Sequence, residues 1–149
     1  MLLVLSACPR RPDPPTRVHG LDDFGLELTL PGTWRGGKVR GAGYIFTSGN
    51  ADTSLSINDD VAGIPMTTAG LETFLTERVV ASVVSSGDRT FGARKGVEGI
   101  GTSRTAPDTR LYIGAFTGPK GPISVQLTTR GLPPATADAE WASVTSSLK

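Results

Sequence analysis

Arg110-Leu111-Tyr112-Ile113-Gly114-Ala115-Phe116-Thr117-Gly118-Pro119-Lys120-Gly121-Pro122-Ile123-Ser124-Val125-Gln126-Leu127-Thr128-Thr129 is the stretch on which the fold turns. Gly118-Pro119-Lys120-Gly121 is a turn signal between two runs rich in aromatic and β-branched residues, which predicts a hairpin of strands 110–116 and 123–129. Ile123, Val125 and Leu127 alternate with Ser124, Gln126 and Thr128, so the second strand has one face toward a core and one toward water. A hairpin of this length needs a wider sheet beside it and a layer above it to bury its apolar face.

Working outward, the same alternation recurs upstream. Leu26, Leu28 and Leu30 flank Glu27 and Thr29, a half-buried strand ended by Pro31-Gly32. Runs 44–47 and 53–58 flank the Gly-containing loop Ser48-Gly49-Asn50-Ala51-Asp52. Leu71, Phe74, Leu75, Val79 and Val83 repeat at three and four, which predicts a helix with Thr68 as N-cap and Ser85-Ser86-Gly87 as its stop. Runs 90–94 and 97–102 read as strands around the turn Lys95-Gly96. Downstream, Arg130-Gly131-Leu132-Pro133-Pro134 breaks the pattern. A last helix follows over about 137–148, with Trp141, Val144 and Leu148 on one stripe. The order is three strands, a helix, four strands and a helix. Short connections favour antiparallel neighbours, so the class is α+β, a largely antiparallel six- to seven-stranded sheet flanked by helices.

Leu28-Thr29-Leu30-Pro31-Gly32-Thr33-Trp34, Val144-Thr145-Ser146-Ser147-Leu148 and the element order resemble the PsbP-like, Mog-type domains. That resemblance covers most of residues 21–149. It implies an antiparallel sheet flanked by helices and a mostly non-enzymatic, binding role; it carries no family-wide functional residues to transfer. Members range from photosystem accessory proteins to a nuclear-transport factor and secretion-effector chaperones, and many bacterial lipoproteins carry the domain.

The first residues fit that last group. Leu5-Ser6-Ala7-Cys8 resembles the lipobox of bacterial lipoproteins, with residues 1–7 as the remnant of a signal peptide and Cys8 as the lipidated residue. The apolar run Leu2–Leu5 is shorter than the about 7–15 residues of an h-region and has no basic residue before it. Cys8 is the only cysteine of the chain, so once acylated it leaves no disulfide to form. Four prolines between Pro9 and Pro15 describe an extended tether within residues 8–20, and the stretch from Pro9 to about Thr16 is expected to hold the 21–149 domain on the order of 20–30 Å from a membrane. Arg10 and Arg11 are placed to meet anionic headgroups. The implied place is the cell envelope, on the periplasmic or extracytoplasmic face, with an envelope protein as partner.

Composition narrows the function classes. With 15 basic and 14 acidic residues the formal net charge is +1, so there is no basic excess for nucleic acid. Gly32-Thr33-Trp34-Arg35-Gly36-Gly37-Lys38-Val39 has P-loop spacing up to its lysine, but Val39 stands where Ser or Thr must reach magnesium, and no helix follows. Asn58-Asp59-Asp60-Val61-Ala62-Gly63 begins like a calcium loop, yet Ala62 and Ala69 fall where oxygen ligands are required. His19 is the only histidine, at the boundary of the tether, which leaves a Ser-His-Asp relay or a zinc site without parts. No catalytic residue, metal or cofactor is assigned. The expectation is a lipid-anchored, non-catalytic binding or scaffold domain, with Arg35, Lys38 and Arg40 as a partner-binding loop. The alternative is a small-ligand carrier or sensor with a pocket between sheet and helix.

Overall fold

The structure, a computed structural model, describes residues 11, 12, 14–59 and 66–149. Cys8, Arg10 and residues 60–63 of the calcium-like stretch lie outside these described residues. Among the described residues nine strands and two α-helices follow in order: β1 (Thr16–Leu21), β2 (Leu26–Pro31), β3 (Arg35–Val39), β4 (Gly43–Thr47), β5 (Thr53–Asn58), α1 (Thr68–Thr73), β6 (Ala81–Phe91), β7 (Arg94–Ser103), β8 (Thr109–Gly118), β9 (Gly121–Arg130) and α2 (Pro134–Ser147). Strands β3 to β9 form one antiparallel sheet in the order β3-β4-β5-β9-β8-β7-β6, and β1 and β2 form a separate ribbon. The hairpin at 118–121 is present as read, with Gly118 opposite Gly121.

The sheet is covered on both faces. On one, Leu26, Leu28 and Leu30 of the ribbon and Ala137, Trp141 and Val144 of α2 bury Tyr44, Phe46, Leu55, Ile57, Tyr112, Phe116, Ile123, Val125 and Leu127. Phe91 stacks on Phe116 at 4.8 Å and meets Trp141 edge-on at 6.2 Å. Gly114 makes this packing possible, because a Cβ there would sit 2.3 Å from Cζ of Phe91. On the other face Leu71 and Leu75 cover Ile113 and Ala115, and the absence of a side chain at Gly99 admits Leu75.

Four features differ from the sequence reading. Residues 16–20, read as tether, form most of β1 and pair with β2 from Thr16 opposite Pro31 onward, so the folded part begins earlier than residue 21. His19 therefore lies on a strand against the Phe46 ring at 4.7 Å. Arg35 to Gly43, read as a loop, is the hairpin β3–β4, in which Gly36 lies directly against the backbone of Ile45.

The third is the long helix over 71–83. It is only α1 and one π-helical turn, Phe74–Arg78, and its N-cap is Thr67, whose hydroxyl accepts from the amide of Gly70 at 3.1 Å. Val80 then turns left-handed at φ 51°, and Val83 belongs to β6. The β-branched pairs Val79-Val80 and Val83-Val84 favour a strand over a helix. Leu75 is buried as expected, whereas Phe74 and Val79 are only partly covered. Fourth, the β6–β7 turn is Gly92-Ala93; Lys95 and Gly96 already stand in β7 opposite Thr90 and Arg89.

Candidate functional site

A groove of about 830 Å³ opens between the C-terminal half of α2 and the β6–β7 hairpin. Asp88, Arg89 and Thr90 line it from β6, Lys95 and Gly96 from β7, and Ala142, Ser143, Thr145 and Ser146 form its other wall. The two walls are pinned together locally. The Gly92 amide donates to the Thr145 carbonyl at 2.8 Å, and the Leu148 carbonyl lies where a side chain at residue 92 would be. Only glycine fits that position, which also has φ 60°.

Arg89 is the oriented charge of the groove. Its Nε and Nη2 donate to the Thr145 hydroxyl at 3.2 and 3.1 Å, and that hydroxyl in turn donates to the Ala142 carbonyl at 3.2 Å. Glu98 Oε2 lies 3.7 Å from Arg89 Nε and accepts from the Trp141 indole at 2.6 Å. A guanidinium carries five N–H donors, so this anchoring leaves donors for a ligand while fixing the plane. The groove thus offers a held cation and the hydroxyls of Ser143 and Ser146, with Thr90 and Lys95 at its rim, where strand alternation turns their side chains toward the opposite face of the sheet. That is chemistry for binding a carboxylate or another anionic group, with no nucleophile and base in contact.

Beneath the first half of α2 lies a second polar cluster. The Tyr112 hydroxyl donates to Asp138 at 2.5 Å and accepts from Arg110 at 2.9 Å, while Arg110 also reaches Asp138 at 3.1 Å. Burial, then the bond to Asp138, raises the Tyr112 phenol above its usual range. Glu140 accepts from Thr53 at 3.0 Å, and burial, with Asp52 nearby, pushes its carboxyl up. These groups tie α2 to the sheet.

Of the three cations expected to act together, Arg35 and Lys38 stand on opposite faces of β3. Arg35 donates to the carbonyls of Gly32 and Trp34 at 2.7 and 3.0 Å, closing the turn before β3. Lys38, three residues along the strand and so on its other face, pairs with Asp23 at 2.8 Å, a bond that raises its pKa. Arg40 stands at the exposed β3–β4 turn. The P-loop-like run 32–39 continues into β3. Asn58, at the start of the calcium-like run, accepts from Ser124 at 3.2 Å. Among the described residues no three His, Cys, Asp or Glu side chains converge on a metal position, and no helix is long and apolar enough to cross a membrane. Arg89, Glu98 and Thr145 were not singled out from sequence. The readable signal was Phe91-Gly92, a glycine at the first position of a two-residue hairpin turn, with β-branched pairs before it.

The strand order and the layers on its two faces define a PsbP-like fold. Among solved structures the chain is similar to the solution structure of cyanobacterial PsbP (CyanoP) from Synechocystis sp. PCC 6803, with a TM-score of 0.71 over 97% of this chain and 98% of that one. Sequence identity is 15%, so the likeness is one of fold. A structure from Bacteroides thetaiotaomicron VPI-5482 aligns at a TM-score of 0.43 and 13% identity, over 83% of this chain and 44% of that one. No protein-family model matches the sequence, and no curated protein does.

Proposed function

We propose that this chain is a non-catalytic binding domain, held at the extracytoplasmic face of the cell envelope by acylated Cys8, and that it engages an envelope protein through the groove between α2 and the β6–β7 hairpin. The observation that carries this reading is Arg89, oriented by Glu98 and Thr145 in an open groove of about 830 Å³. Loops and grooves held on a rigid sheet are where binding collects. A groove of this volume at a sheet–helix joint also favours the second reading, a carrier of a small anionic ligand. The core behind it is filled by Phe91, Phe116 and Trp141, which favours a partner laid across the surface over a ligand sunk within it. Arg35, Lys38 and Arg40 are proposed as an outlying contact, weaker because Arg35 and Lys38 are already engaged.

Photo-crosslinkers placed at Ser143 and at Ser54, on a different surface, test the site in membranes carrying the signal-bearing protein. A discrete protein adduct from Ser143, absent from Ser54 and lost in Arg89→Ala, is the expected result. Native mass spectrometry showing a retained small anion and no protein adduct would replace the partner with a ligand.

A further inference from the structure

We propose that the outer edge of β6 accepts an extended acidic segment of a protein partner as an added β-strand; this rests on the groove reading and specifies its occupant. Strand β6 is an 11-residue edge of the seven-stranded sheet, and among the described residues no strand pairs with its outer side. The opposite edge, β3, has five residues.

The register shows which main-chain groups lie outside. Phe91 pairs with Arg94 across the two-residue turn Gly92-Ala93, with Gly92 at φ 60°. In a two-residue hairpin the closing pair exchanges both its hydrogen bonds inward, and the pattern then alternates. Phe91, Arg89 and Gly87 therefore bond to β7, while Thr90, Asp88 and Ser86 turn their N–H and C=O groups outward. A register irregularity between Val83 and Ser85 interrupts the first part of the strand. Such bulges are a usual guard against edge pairing. It leaves Ser85 to Phe91 regular, and Asp88 to Thr90 of this run line the groove.

Charge selects the occupant. From residue 88 to 95 there are Arg89, Arg94 and Lys95 against Asp88, and Arg94 and Lys95 make no ion pair among the described residues. An added strand sends alternate side chains to the two faces. One set meets Arg89 and the Ser143 and Ser146 hydroxyls, the other Asp88 and Thr90 with Lys95 one strand further in, so acidic residues are favoured in the first alternation, where Arg89 is the cation. A second copy of this chain, paired antiparallel about the middle of the stretch, would set Asp88 against Asp88. Like charges directly opposite destabilise a pair.

The test uses the full chain, isotope-labelled, and the synthetic acetylated peptide Thr-Val-Asp-Val-Asp-Val-Thr. Two control peptides carry Asn for Asp, or N-methyl groups on alternate residues. The expected result is that the amides of Ser86, Asp88 and Thr90 shift and become protected from exchange. Each control, and Arg89→Gln with Lys95→Gln, should weaken binding by on the order of tenfold, since one or two net hydrogen bonds or ion pairs are lost. Binding that needs the Asp residues but ignores N-methylation would overturn strand addition and leave the groove reading standing. No shift at either the groove or β6 with any peptide would overturn both. A solution dimer with β6 amides protected before peptide is added would overturn the proposal in favour of a second copy.

Discussion

Gly114 shows how a single missing side chain organises one layer of the core. A Cβ at this position would lie 2.3 Å from Phe91 and 3.2 Å from Trp141, two rings with nowhere else to go. Gly114→Ala should therefore cost about 1–3 kcal/mol, the usual penalty of overpacking, seen as a lower urea midpoint. His19 gives a pH dependence. Burial, then Arg17, lowers its pKa below 6.5, and its Nε2 has no hydrogen-bond partner. The unfolded chain thus takes up the proton first: stability is complete above about pH 6.5 and falls as pH drops toward the folded pKa. Urea midpoints at pH 7.5 and 5.5 should differ in the native chain, and differ less in His19→Gln. Neither role was legible in the sequence. A glycine's reason is another residue's ring arriving from far along the chain, and His19 sits beside prolines that concealed its strand.

Among the elements, hairpins were the readable part and the helix boundary was not. Gly118-Pro119-Lys120-Gly121 announces its turn locally, because turn chemistry is a short-range property. The stretch after α1 satisfies the spacing of a helix through Leu71, Leu75, Val79 and Val83, yet tertiary pairing with β7 takes Val83 into the sheet. Val80 bears the cost of the switch: it is β-branched, 46% exposed and left-handed at φ 51°. Val80→Gly should relieve strain of about 1 kcal/mol while losing little packing, so thermal melting should show a higher midpoint. Burial separates two further variants. Trp141→Ala should cost about 3–5 kcal/mol, as for a fully buried aromatic. Phe74→Ala should cost clearly less, because Phe74 is only partly covered. Equal urea midpoints for the two would mean that the packing of α1 is misassigned. The groove was invisible for a related reason, since it needs β6 and α2 side by side, about fifty residues apart.

For the molecule as a whole, the proposed lipid anchor is the reading easiest to test. Cys8→Ser, in a chain with its complete signal, should move the protein from the membrane to the soluble fraction; a multiply acylated cysteine binds far more firmly than one chain alone. An unmodified thiol in the mass spectrum of the native protein would refute the anchor. The connection of the two sheet halves has a different kind of consequence. Strands β3, β4 and β5 join the rest of the sheet only through the β5–β9 pairing, with Thr53 opposite Thr129, and the β1–β2 ribbon shares its core with α2. A polypeptide emerging N-terminus first from the ribosome can pair β5 with β4 early, but β5 has no partner on its other side until residue 130 has left the exit tunnel. Contacts this distant in sequence form late and slowly. The two halves of the sheet therefore close over one core only when synthesis is nearly complete, and until then the nascent chain is exposed to proteases.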